Sequence, residues 1–187
     1  MTRSTPASSP SPPGDLAIRF ATAADVPTIL HFIRSLARYE KLEAEVVADE
    51  DGLRATLFGA RPAAEVVLAE LAGAPVGFAL FFPSYSTFLG KPGLYLEDLF
   101  VEPEARGRGI GVALMSALAR IAVERDYGRF DWSVLDWNAP SLAFYAALGA
   151  VPQGEWTVQR LVGAPLAALA ARWPGTIGAT LPRPGGG

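Results

Sequence analysis

The segment that most constrains this chain is Arg106-Gly107-Arg108-Gly109-Ile110-Gly111, set between a strand-like run, Leu94 to Val101, and a helical one from about Gly109 to Arg125. A helix amino terminus carries unpaired backbone N–H groups and the positive end of the helix dipole, and glycines let that backbone come close to an anion. Strand, glycine-rich turn and helix in that order make a phosphate cradle. Two better-known cradles fail: the dinucleotide pattern needs glycine at Val112, and the P-loop needs Lys-Ser or Lys-Thr after its last glycine. Taken alone, the hexapeptide reads equally well as a turn with two solvated arginines, so the context decides.

That context is mixed α/β. Leu16-Ala17-Ile18-Arg19-Phe20 alternates like a half-buried strand. Thr22 as a cap, Asp25 in the first turn and Pro27 near the start suit a helix that ends near Tyr39-Glu40. Val26, Ile29, Leu30, Ile33, Leu36 and Ala37 recur along it at helical spacing, which lays one face on a sheet. A short helix over Asp49 to Phe58 follows, then a hairpin of Glu65 to Leu71 with Pro75 to Phe82. Pro83 to Gly93 reads as a polar loop punctuated by glycine and proline. After the cradle the pattern gives a strand at Phe130 to Leu135, a short helix at Ala139 to Leu148 closed by Gly149, a last strand at Glu155 to Leu161 and a helix from Pro165 to Trp173. The expected organisation is one domain over residues 15–173, a disordered extension over 1–14 and a flexible tail over 174–187.

Composition narrows the chemistry. With half of its 187 residues hydrophobic and 19% charged, the chain is globular rather than disordered. Its formal net charge of -3 offers no basic surface for nucleic acid, and its four tryptophans do not alternate with basic residues as a stacking platform does. The absence of cysteine and the single His31 remove disulfides, thiolate nucleophiles and histidine or cysteine metal clusters. The Ser/Thr/Pro-rich start lacks the apolar core of a signal peptide, and no apolar stretch reaches the length of about 18 residues that a membrane span needs. A cytoplasmic protein without metal, membrane or nucleic-acid partner is expected.

The hexapeptide resembles the acyl-CoA pyrophosphate loop of the GNAT superfamily: Arg or Gln, two residues, Gly, one residue, Gly or Ala, met here by Arg106, Gly109 and Gly111. The resemblance runs from about Leu16 to Ala170 and is closest to the spermidine/spermine and thialysine N-acetyltransferase branch. Leu94-Tyr95-Leu96-Glu97-Asp98-Leu99-Phe100-Val101 looks like that branch's central strand. Asp136-Trp137-Asn138-Ala139-Pro140-Ser141, and Phe144-Tyr145 with Leu148-Gly149-Ala150, look like its later signature, and Tyr39-Glu40 resembles its substrate-facing segment. The resemblance implies the GNAT fold, a mixed central sheet flanked by helices, with acetyl-CoA as co-substrate, a small-molecule amine as acceptor, and a homodimer. Arg160 stands where the branch carries a similar arginine.

The chemistry needs a proton path, because an alkyl ammonium with a pKa near 10.4 is neutral in only about one molecule in 2,500 at pH 7, a deficit of roughly 4.6 kcal/mol. By resemblance Glu97 is the base, acting through a water. Its place on a central strand would bury it and raise its pKa, and on a regular strand Asp98 would face the other way. Tyr145 resembles the general acid for the CoA sulfur. Arg106, Gly107, Arg108, Gly109, Ile110 and Gly111 would hold the pyrophosphate. Backbone groups of Leu99, Phe100 and Val101 would pair with the pantetheine arm as a strand does, helped by Asn138 and Ser141. Tyr39 and Glu40 would receive a second cationic group of the amine, alongside Tyr85 and Ser86. Ser86 stands where polyamine-acetylating members carry an acidic residue, which points toward short amino-acid-like diamines. Two alternatives use the same cradle: a protein lysine or amino-terminal acetyltransferase, and a CoA-binding sensor without catalysis.

Overall fold

The computed structural model describes residues 13–172, which divide into two compact units, 13–133 and 134–172. In the first, five strands form one sheet in sequence order: β1 (Leu16–Phe20), β2 (Glu65–Leu71), β3 (Ala74–Ser86), β4 (Lys91–Val101) and β5 (Phe130–Trp132). The first four pair antiparallel and β5 joins β4 in parallel, so the sheet is mixed as expected. Helices α1 (Val26–Glu40), α2 (Glu50–Phe58) and α3 (Ile110–Glu124) complete the unit.

Thr22, the expected cap, opens a single 3-10 turn, and Asp25 stands at the N-cap of α1. The Asp25 carboxylate accepts from the Thr22 backbone N–H (2.7 Å) and hydroxyl (2.9 Å) in a single 3-10 turn ahead of α1. Asp49 caps α2 by accepting from the Gly52 N–H at 2.8 Å. Helix α1 stops because Lys41 turns left-handed at φ 63°, letting the Leu42 N–H reach the Ala37 carbonyl at 2.8 Å. One face of the sheet meets α1 and α2 through a core of Ile29, Phe32, Leu57, Val66, Leu68, Phe78 and Phe100. Each such side chain contributes about 1.5–3 kcal/mol by leaving water. Val67, Ala69 and Ala79 alternate onto the other face, where α3 packs with Ile110, Leu114 and Leu118 fully buried.

Three expectations fail in this unit. Pro83 to Gly93 is not a loop: β3 and β4 stay paired to Ser86 and Lys91, leaving only residues 87–90 as the turn. Pro83 is tolerated because β3 has no β2 partner beyond Phe81, and Pro92 because β5 pairs with β4 only from Leu94 onward. Strand β5 stops at Trp132 rather than Leu135. Strand β4 is not regular either: Leu80 faces Asp98 while Phe81 faces Leu96, so Glu97 is an extra, bulged residue without a partner.

The second unit carries α4 (Ala139–Ala147) and α5 (Gly163–Ala170). Gly149, at φ 89°, closes off α4 as its position in the sequence suggests. The expected strand at Glu155 to Leu161 is absent. A strand exists only with a neighbour to pair with, and a segment's own sequence does not supply one. Helix α5 begins before Pro165, and Trp173 lies outside the described residues, as do most of the expected extension at 1–14 and the tail at 174–187.

Candidate active site

Three carboxylates gather in the first unit, where the end of α1 meets the β4 bulge. Asp98 is half-buried, and its carboxyl is pushed up to about 6, first by loss of water and then by the charges of Glu97 and Glu40. Glu40, on the last residue of α1, is raised by burial. Glu97 is exposed. This corrects the expectation of a buried Glu97 beside an Asp98 facing away: the bulge breaks the alternation, re-aims both side chains, and gives burial to Asp98. Among the described residues, none of the three forms an ion pair. An uncompensated negative field of this kind draws a cation, and an organic ammonium suits it. No group of three or more His, Asp or Glu side chains among the described residues is arranged to hold a metal ion.

The cradle follows from the same strand. Beyond Val101 the chain makes a 3-10 turn at Pro103–Ala105, anchored by buried Ala105, and then runs through Gly107 (φ 73°) and Gly109 (φ 78°) into α3. Both glycines are left-handed, which other residues adopt only under strain. Gly109 caps a 15-residue helix whose first intrahelical bond is Ala113 N–H to Gly109 carbonyl at 3.0 Å, so the N–H groups of Ile110, Gly111 and Val112 lack intrahelical acceptors. The loop is therefore built to approach an anion.

Strand β5 pairs only with Leu94–Leu96, so residues 97–101 carry no ladder on that side. The Glu102 N–H donates to the Val76 carbonyl at 2.9 Å, and by alternation Phe100 also faces β3 while Leu99 and Val101 turn their peptide groups away from it. Of the three residues expected to meet the pantetheine arm, Phe100 is thus committed to β3 and, through its ring, to the core. Arg106 is turned back toward this strand. Its Nε donates to the Val101 carbonyl at 2.9 Å, and its guanidinium stacks over Tyr39 at 5.0 Å and Phe100 at 5.5 Å. Arg108 is exposed.

In the second unit, the Asn138 side chain caps α4, accepting from the Ser141 N–H at 3.3 Å, and Tyr145 lies one turn on, its ring 5.1 Å from that of Phe144. Tyr85 and Ser86 do not join the carboxylates. They sit at the far end of the hairpin, Ser86 six residues from Leu80, roughly 20 Å along the strand. Ser86 is buried and its hydroxyl accepts from the Leu89 N–H at 3.3 Å, holding the turn. His31 hydrogen-bonds Glu102 at 2.9 Å in a groove of about 340 Å³ lined also by Pro27 and Pro75, near the start of α1 and away from Glu40.

Residues 30–150 match the model of the acetyltransferase (GNAT) family. The chain is similar to the thialysine N-epsilon-acetyltransferase of Bos taurus, 39% identical over 83% of this chain and 97% of the relative. It is likewise similar to the L-ornithine N5-acetyltransferase NATA1 of Arabidopsis thaliana, 34% identical over 81% of this chain and 86% of the relative. Among solved structures, an integron cassette protein from the mobile metagenome of V. cholerae superposes with a TM-score of 0.71 at 28% identity, covering 83% of this chain and 98% of that one.

Proposed function

The chain belongs to the acetyltransferase (GNAT) family, and on that premise we propose that it moves the acetyl group of acetyl-CoA to a primary amine of a small diamine or amino-acid-like acceptor. The observation that carries the acceptor class is the unpaired trio Glu40, Glu97 and Asp98. Carboxylates favour the ammonium form, so they suit a second cationic group that stays charged rather than the amine that must lose its proton. In this reading Asp98 and Glu40 hold the distal ammonium, with Tyr39 beside them, and Glu97, exposed on the bulge, takes the proton of the reacting one through a water. The thialysine and ornithine relatives carry names that fit an acceptor with two cationic groups.

Acetyl-CoA supplies an activated thioester as the acyl donor. Arg108 and the backbone of Gly107, Gly109, Ile110 and Gly111 would hold its pyrophosphate, supported by the left-handed glycines and the unpaired N–H groups. Leu99 and the Val101 N–H would receive the pantetheine arm, with Asn138 and Ser141, the Val101 carbonyl being held by Arg106. The amine nitrogen bonds to the acyl carbon, the carbon–sulfur bond breaks, and the Tyr145 hydroxyl gives a proton to the departing sulfur. Residues 15–173 are taken as one domain, because the family match at 30–150 spans both units. The reading includes a cytoplasmic homodimer, and sedimentation at micromolar concentration tests the dimer.

The deciding experiment is thiol release from acetyl-CoA with thialysine, ornithine, putrescine, spermidine and a lysine peptide. Turnover of a short diamine or amino acid, lost in Glu97→Gln, supports the reading. Preference for the peptide would make the chain a protein acetyltransferase, and tight binding of acetyl-CoA without turnover of any acceptor would make it a sensor.

A further inference from the structure

We infer that Arg106 is a positioning residue that couples the acetyl-CoA loop to the acceptor end of the site through the ring of Tyr39; the inference rests on the acetyltransferase reading above. A guanidinium at the mouth of an anion cradle would ordinarily point at the anion. This one points back, donating from Nε to the Val101 carbonyl at 2.9 Å and stacking over Tyr39 at 5.0 Å and Phe100 at 5.5 Å.

The three attachments join three elements: Tyr39 on the last turn of α1, Phe100 and Val101 at the end of β4, and the loop that leads into α3. Phe100 is a fixed abutment, 4% exposed and packed 6.1 Å from Phe32 of α1. Tyr39 is the other face of the clamp, half-buried and next to Glu40, whose carboxyl belongs to the acceptor cluster. Arginine fits this place because its planar head can stack on a ring and donate in its own plane at once, which a lysine ammonium cannot do. Ordering the loop on acetyl-CoA therefore orders Tyr39, and an acceptor that engages Tyr39 steadies the loop, so each ligand lowers the cost of binding the other.

The test is calorimetric titration of acetyl-CoA, without any amine, into wild type, Tyr39→Leu, Tyr39→Phe, Arg106→Lys and the Tyr39→Leu/Arg106→Lys double variant, each first shown to be folded by its melting profile. A cation-π contact at a part-exposed site changes an equilibrium constant about two- to fivefold. Tyr39→Leu, on the acceptor side, is expected to weaken acetyl-CoA by that factor and raise its KM. Tyr39→Phe keeps the ring and should stay within about twofold of wild type. The double variant is expected to be no weaker than Arg106→Lys alone. Unchanged acetyl-CoA affinity in Tyr39→Leu, equal losses in Tyr39→Leu and Tyr39→Phe, or additive losses in the double variant each overturn the coupling. Failure of wild type to bind acetyl-CoA would sink the acetyltransferase reading itself, and the coupling with it.

Discussion

Glu97 and Asp98 are consecutive residues of one strand, yet the bulge leaves Glu97 exposed and unpartnered while Asp98, opposite Leu80, is withdrawn from water with its carboxyl pushed up to about 6. The two should separate on mutation. Glu97→Gln is expected to lower kcat by about 10²–10⁴ if its carboxylate carries the proton, with little change in the KM of acetyl-CoA. A fall in kcat below tenfold at saturating amine would remove Glu97 from the proton path.

Asp98 gives a pH signature of opposite sign to an ordinary ion pair. Because its folded pKa lies above the unfolded value, the fold binds its proton more tightly. That contribution is complete below about pH 4 and is lost as pH rises through about 6. Asp98→Asn should therefore be more stable than wild type at pH 8, on the order of 1–2 kcal/mol after allowance for partial exposure, with the gain shrinking toward pH 4. Binding of a diamine should run the other way, tightening in wild type as pH rises through 6 and losing that dependence in Asp98→Asn. Parallel melting curves and titrations at pH 4.5, 6 and 8 decide both.

The start of the fold is clamped by Arg19, which reaches Asp25 at 2.8 and 2.9 Å and Glu70 at 2.9 Å. The Arg19 guanidinium holds the Asp25 carboxyl well below the usual carboxylate range, with help from the Thr22 N–H and hydroxyl. A depressed pKa contributes stability that is present above the unfolded value, near 4, and fades as pH falls below it. Asp25→Asn should cost about 1–2 kcal/mol at pH 7 through the lost charge-assisted bonds and cap, with the difference narrowing toward pH 2. A constant difference across that range would mean that charge contributes little.

Gly107 and Gly109 hold φ of 73° and 78°. Alanine at either is expected to cost about 1–3 kcal/mol, even though an added Cβ at Gly107 meets no atom within 4 Å. The penalty is one of backbone angle, so the loop should relax and acetyl-CoA affinity should drop along with the melting temperature. An alanine variant at Gly107 that keeps both would show that the left-handed turn is dispensable.

Local signals carried the helices well. Thr22 and Asp25, Asp49 and Gly149 each act within a few residues, and those caps stand where their chemistry places them. What depended on a neighbour did not read through. The bulge at Glu97 is a mismatch between β4 and β3, invisible in either strand alone, and it moved burial from Glu97 to Asp98. The acidic pair Glu97-Asp98 within an apolar strand was the signal that could have brought Asp98 forward. Pro83 and Pro92 looked like punctuation because nothing in the sequence says which side of a strand lacks a partner. Ser86 read as substrate-facing by its position in the chain, whereas its hydroxyl holds the hairpin turn. Arg106 is recognisable by its place in the loop, but its stack on Tyr39, 67 positions earlier, belongs to the tertiary fold.

On the β5 side, the Leu99 peptide groups and the Val101 N–H have no strand of the first unit to pair with among the described residues. Main-chain groups left without a ladder invite pairing with another chain, and on the proposed reading, in which the donor takes this place, a longer β5 would close the site. The donor would then serve as a missing strand, and storage with CoA should protect the protein from heat and from clumping in proportion to RT ln(1 + [L]/Kd). Designers seeking a sturdier version should leave β5 short and look for their gains on the opposite edge, at β1.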